Sequence, residues 1–327
     1  MTTLRNIILP DRTARVLALL PWVLGALLVG YAWLSGGYLI TVMSFALIYA
    51  IFVTGLNVFM GFAGQVSFGQ NAFAAISGYT SAVLTTTYGM EPLLGMLIGI
   101  SGSLAFALLI GYPTLRLKGH YLAMATLAVG LIVYEVAVHW QSVTQGYMGI
   151  SGIPPIGIGR YQITSEKSQL LFLVIVTAVM LFVASRIRNS RPGRAFVAVA
   201  GSEDAARALG VNVAHYKLIS FLISAGYAAL AGSLFVHVVG FVSPEVYGMH
   251  MVVLAFTMLY VGGIGTIVGP LIGAIVISLL PEIFRQFKDY QDLAYGAVLI
   301  LLLIYAPRGI ASFGDLLARW RAKAVRP

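Results

Sequence analysis

Three groups of side chains in this 327-residue chain have the types and spacing for chemistry. Glu135 and His139 stand four apart, which places them on one helix face, where they can pair or relay a proton. Gln65, Ser67, Gln70 and Asn71 interrupt an apolar sequence between Gly61 and Phe73, with Asn57 shortly before them. These amides and the hydroxyl are candidates for lining the path of a polar solute. The third group is the polar stretch Arg186 to Lys217, which holds six of the twenty Lys and Arg residues. Catalytic sets are scarce by comparison. His120, His215, His237 and His250 have no metal-ligand spacing with one another, and no Ser-His-Asp set is evident. There is no cysteine for a disulfide or thiolate site, and no Gly-Lys pair that could complete a Walker A motif.

The elements that must position these groups are membrane helices. Apolar residues make up 59% of the chain and charged residues 9%, where a soluble domain carries about 25% charged residues. This composition predicts an all-α polytopic membrane protein of about ten spans, a single transmembrane domain over residues 1–327. The predicted spans are 14–34, 38–60, 70–89, 92–112, 121–140, 169–186, 218–240, 250–264, 267–281 and 292–306. The first apolar run follows Arg5, Arg12 and Arg15, and it is too long for the core of a signal peptide. It is therefore read as a spanning helix with a cytoplasmic N-terminus.

Charge fixes the orientation. On this topology sixteen of the twenty basic residues face the cytoplasm, in the N-terminal segment, loops 113–120 and 186–217, and the basic tail 307–327. The excess of positive charge thus reflects orientation in a lipid bilayer, and no nucleic-acid partner is expected. Both termini are expected in the cytoplasm.

Two glycine-rich stretches break the helical pattern. Residues 61–73 read either as a broken helix beside a hydrated path or as a turn followed by close glycine-mediated packing. Residues 260–270, YVGGIGTIVGP, read as a tight turn between two helices, since no strand precedes them. The long segment 141–168 is rich in Gly and Pro. Its Ile150, Ile153, Ile156 and Ile158 argue against a disordered linker and predict an irregular external lid or docking surface that packs on the bundle. Glu135 and His139 lie near the outer end of their span, where water reaches, and this favours a structural pair over a proton relay.

The stretch Arg186 to Lys217 encodes a short helix outside the bilayer. Pro192 and Gly193 break the preceding helix, and Ser202 is a candidate N-cap. Glu203 and Asp204 follow in the first turn, where the helix dipole favours carboxylates. Ala205, Ala206, Ala208 and Leu209 give a surface of mostly small residues beside Arg207, and Gly210 supplies the stop. Such a surface lets another protein approach closely.

Residues 193–232 resemble the signature of LivM-type permease subunits of branched-chain amino-acid ABC importers. Asp204-Ala205-Ala206, with Gly210 four residues on, is similar to the EAA-x-x-x-G loop that docks on the ATP-hydrolysing subunit. Asp204 stands where that loop has Glu, and its later Ile-x-Leu-Pro is absent, so the acid role is open between Glu203 and Asp204. Segments 55–79, 115–128, 144–154, 241–248, 260–274 and 305–310 carry the same resemblance.

The resemblance implies a non-catalytic subunit of a bacterial inner-membrane importer, with Ser202 to Arg207 and Gly210 as the coupling helix. It implies a homologous LivH-like permease as the other half of the pathway and two ATPase subunits holding ATP and Mg. A periplasmic solute-binding protein would deliver the solute. Similar permeases serve importers for urea, short amides and aromatic acids. The competing class, an ion-coupled secondary transporter, requires ionisable groups near mid-membrane.

Overall fold

In the computed structural model, the described residues are 37–158 and 161–284, with isolated positions 30, 33, 296, 300, 309 and 310. The expected spans 14–34 and 292–306 and the tail 307–327 lie essentially outside them. The chain is almost wholly helical. α1 (Tyr38–Asn57) runs into a π-helical turn at Val58–Phe62, and α2 (Gln70–Thr86), α3 (Pro92–Thr114) and α4 (His120–His139) follow. After the four-residue α5 (Gln141–Thr144) come α6 (Glu166–Asn189), α7 (Arg191–Gly201) and α8 (Glu203–Ala208). The series ends with α9 (Val213–Val239), α10 (Met249–Gly262) and α11 (Gly269–Phe284). Among the described residues six helical segments are long and apolar enough to cross a membrane, those of α1, α3, α4, α6, α9 and α10. The polytopic all-α class follows, while ten spans are not counted among these residues.

The helices at the centre are those whose sequence permits close approach. α1 and α9 are buried along most of their length and pack on each other, and α2 packs against α9 and α3. Gly232 of α9 meets Ala74 of α2 so closely that a β-carbon would lie 2.2 Å from the Ala74 carbonyl oxygen. Small residues at such crossings let backbones touch where lipid offers no hydrophobic drive. Ser77 and Ser233 hydrogen-bond across the same seam at 2.5 Å. α3, α4 and α6 turn apolar side chains outward, among them Leu109, Ile132 and Phe182. These faces suit lipid or another apolar helix.

One end of the bundle carries loop 115–119, α7, α8 and turn 263–268. The other carries the lid. Ile150, Ile153 and Ile156 are buried, as their apolar character predicts. Strand β1 (Ile150–Ser151) pairs antiparallel with β4 (Phe241–Val242), and β2 (Gly157–Ile158) pairs with β3 (Tyr161–Gln162). His237 near the end of α9 donates from Nδ1 to the Pro154 carbonyl at 2.7 Å, which leaves Nε2 to accept from the Ser81 hydroxyl at 2.7 Å.

α7 departs from the sequence reading. Pro192 and Gly193 end α6, as expected, but they also open a new helix. Proline is tolerated in a first turn because its missing N–H has no partner there anyway. Ser190 caps α7 by accepting from the Gly193 N–H at 3.3 Å. Gly193, Phe196 and Val199, three residues apart, form the buried face.

Candidate functional site: the short helix after residue 202 and the break beside it

The short helix α8 forms where its caps dictate. Ser202 accepts from the Ala205 N–H at 3.2 Å, and Gly210 at φ +82° reverses the chain. Asn212 then caps α9, accepting from the His215 N–H at 3.1 Å. The two adjacent acids point in opposite directions. Glu203 faces inward, where Oε1 accepts from Lys217 Nζ at 2.8 Å and from Gln65 Nε2 at 3.2 Å. The Lys217 side chain is only 2% exposed, so Glu203 supplies the charge that its burial requires. Asp204 is 80% exposed and pairs with Arg207 at 3.0 Å and Lys118 at 3.8 Å.

The outward surface of α8 differs from the expected one at a single alanine. Ala206 is buried against Val199 and Val213, because it lies three residues after Glu203, on the helix face that turns toward the bundle. The face left open is Asp204, Ala205, Arg207, Ala208 and Leu209, with Leu209 84% exposed.

Beside this helix lies the first break. After the π turn the backbone leaves helical form at 63–69, and α2 starts only at Gln70. Gly64 lies against Ala200, where a β-carbon would meet the Ala200 Cα at 2.9 Å. Four residues on, the Phe68 N–H donates to Thr126 Oγ1 at 3.1 Å, and Gly69 abuts the Thr126 backbone. Thr126 is the seventh residue of α4, about 9 Å along that helix at 1.5 Å per residue. The segment therefore climbs inside the bundle from the level of α8, and α2 begins partway up. Of the two readings of residues 61–73, this is the broken helix, with glycine-mediated packing at both of its ends.

The five polar residues singled out for the path are placed differently from one another. Asn57 bridges the two breaks: Nδ2 donates to the Thr266 carbonyl at 2.6 Å, and Oδ1 accepts from the Gly265 N–H at 2.8 Å. Gln65 joins Glu203. Ser67 and Gln70 are buried beside a very small cavity next to Phe256, and neither polar atom of the Gln70 amide has a partner. Asn71 donates to the Tyr247 carbonyl at 2.8 Å and borders a cavity of about 340 Å³ between α4 and residues 245–252. Glu135 and His139 form an exposed pair at 3.3 Å.

Sequence reasoning missed Lys217 as a partner of Glu203. The available signal was a lysine one turn inside an apolar helix, where a charge requires a counter-charge. It also missed His237 as the pin of the lid. Turn 263–268 is the tight connection expected, closed by Thr266, which donates to the Gly263 carbonyl at 2.7 Å and accepts from the Gly269 N–H at 3.0 Å.

The model of the family described as "Branched-chain amino acid transport system / permease component" matches residues 38–306. The high-affinity branched-chain amino acid transport system permease protein LivM of Salmonella typhimurium is 32% identical over 299 residues, covering 83% of this chain and 69% of the relative. LivH of Escherichia coli is 26% identical, covering 80% of this chain and 90% of the relative. The autoinducer 2 import system permease protein LsrC of Yersinia pseudotuberculosis is 25% identical over 71% of this chain and 68% of its own length. A family match across the described bundle, joined to a LivM relative at this identity, means that the chain belongs to the branched-chain amino acid transport permease components, the multi-pass membrane subunits of ABC importers.

Proposed function

We propose that this chain forms half of a translocation pathway for branched-chain and other hydrophobic amino acids, and that α8 is the surface through which ATP hydrolysis drives it. A LivH-like permease supplies the other half. Of two ATPase subunits, carrying ATP and Mg, one docks on residues 202–210, and a periplasmic binding protein presents the solute at the lid end. The chain itself is non-catalytic. The coupling end faces the cytoplasm, as the basic bias argues, so a reporter after Asn212 reads inside and one at Gly152 reads outside.

The observation that carries this reading is the asymmetry of α8. Its inner face is locked to α9 and to the broken segment through Glu203, Lys217 and Gln65. Its outer face leaves Leu209 exposed, an apolar side chain that suits a partner's groove. A push on α8 would thus reach a long central helix and the break at once.

The test is Leu209→Glu in the co-expressed importer. The charge adds no strain to the permease, whose side chain here meets solvent, but it cannot enter an apolar groove without loss of its water. The expected result is a permease that keeps its permease partner and loses the ATPase subunits and ATP-driven uptake. Normal ATPase association with normal uptake would move coupling to another loop, first of all 113–120.

A further inference from the structure

The cavity beside Asn71 has a composition that a helix–lipid boundary does not explain. It opens between α4 and residues 245–252, and its volume of about 340 Å³ falls in the range of small-solute sites. Leu127, Leu131, Met249 and Val252 form apolar walls, while Tyr134, Glu135, Glu245 and His250 are the polar lining and Asn71 the base. Among the described residues no Lys or Arg lines it. Glu245 makes no ion pair with any described residue, and Glu135 has only the exposed His139.

The helix face that carries Glu135 also exposes Leu131, Ile132 and Val136, apolar surroundings in which a cationic solute would be the natural partner of a carboxylate. Deeper in, Asn71 is 4% exposed and its Oδ1 has no hydrogen-bond partner. Gly130 leaves the approach to that oxygen clear, since a β-carbon there would sit 2.7 Å from it. Phe68, stacked on Phe256 with ring centroids 4.4 Å apart, closes the inner end. Acceptors thus descend in order: two carboxylates toward the lid, then an amide oxygen, then an aromatic floor.

We propose that this cavity is the solute station on the lid side of the path and that it selects by the ammonium group. Glu245 and Glu135 take a cationic head, the aliphatic tail lies against Leu127 and Leu131, and the Asn71 oxygen is the next acceptor inward. A free carboxylate on the same solute turns toward the Tyr134 hydroxyl and the His250 ring, the donors of the lining. The station favours amino acids over urea, amides and aromatic acids, which carry no ammonium. This proposal rests on the importer reading, and its test separates the two.

The chain has no cysteine, so Met249→Cys gives a single reporter thiol in the cavity. In the assembled importer, a cationic methanethiosulfonate reagent should label it roughly tenfold faster than an anionic one, the bias expected of two carboxylates focusing an encounter. Glu135→Gln with Glu245→Gln should abolish that bias. Leucine and isopentylamine should protect the thiol, 4-methylpentanoate should not, and the two Gln substitutions should remove the protection. Equal protection by 4-methylpentanoate, or protection that survives both substitutions, overturns the station. Leucine uptake is measured on the same preparation. Ammonium-dependent protection without ATP-driven uptake counts against the importer reading alone, whereas uptake without it counts against the station alone.

Discussion

At the coupling end, the chain outside the long helices is held by charge and by amides: Glu203 with Lys217 and Gln65, and Asn57 with Gly265 and Thr266. At the lid end the comparable segment is held by Ile150, Ile153 and Ile156 and pinned by His237 on the Pro154 carbonyl. Apolar packing is graded, so it weakens with each methyl group removed and tolerates small shifts. A buried ion pair is closer to all-or-none, because removing one partner strands the other charge. The difference suits the two tasks of the proposed function, in which a lid need only cover, whereas a coupling helix would have to pass displacement to α9 without slipping.

The largest effect that would break this comparison is at Lys217. Lys217→Met leaves Glu203 without its ionic partner, at a cost of about 3 kcal/mol, the lower end for an uncompensated buried charge. The lower end applies because the Glu203 side chain retains 19% exposure. Thermal unfolding of the purified importer should fall clearly, with amide exchange in 202–212 rising most. Adding Glu203→Leu to Lys217→Met should restore most of the stability but not the coupling of ATP hydrolysis to uptake. Full uptake in the double variant would reduce the pair to packing.

Next in size is Ile153→Ala at the lid, about 2 kcal/mol for an aliphatic truncation. Its signature is local: faster amide exchange across 150–163, with ATPase-subunit binding unchanged. Exchange that spreads to α8 would show that the two ends are not independent. Smaller again is Ser202→Ala, about 1 kcal/mol for loss of an N-cap, read as fraying of α8 with α9 intact.

The lid was legible in advance and the coupling end only in outline, for a physical reason. Isoleucines in a Gly- and Pro-rich loop announce burial by themselves, and the apolar runs announce helices. Ser202 and Gly210 mark the bounds of α8 through purely local rules. The Glu203–Lys217 pair joins residues fourteen apart across a chain reversal, which no periodicity encodes. The same holds for the climb of residues 63–69, whose path depends on Thr126 from another helix. The fate of the neighbouring acids was open in sequence because both fit the first turn of a helix. Only burial separates them.

That separation gives the smallest expected effect on stability and the sharpest contrast. Asp204→Asn removes the acceptor from both Arg207 and Lys118, yet all three side chains are more than half exposed. Exposed pairs of this kind contribute between about 0 and 1 kcal/mol and are screened by salt. The melting temperature of the permease should therefore barely move, in contrast to Lys217→Met. Because Asp204 lies on the outer face of α8, its charge acts on encounter with a partner, and rim charges change association rates and their salt dependence. ATPase-subunit association should differ from wild type at low ionic strength and converge with it as salt is raised. A loss of stability as large as that of Lys217→Met would mean that Asp204, not Glu203, anchors the helix. No change in association at any salt concentration would place the partner's contact on Leu209 and its apolar neighbours alone.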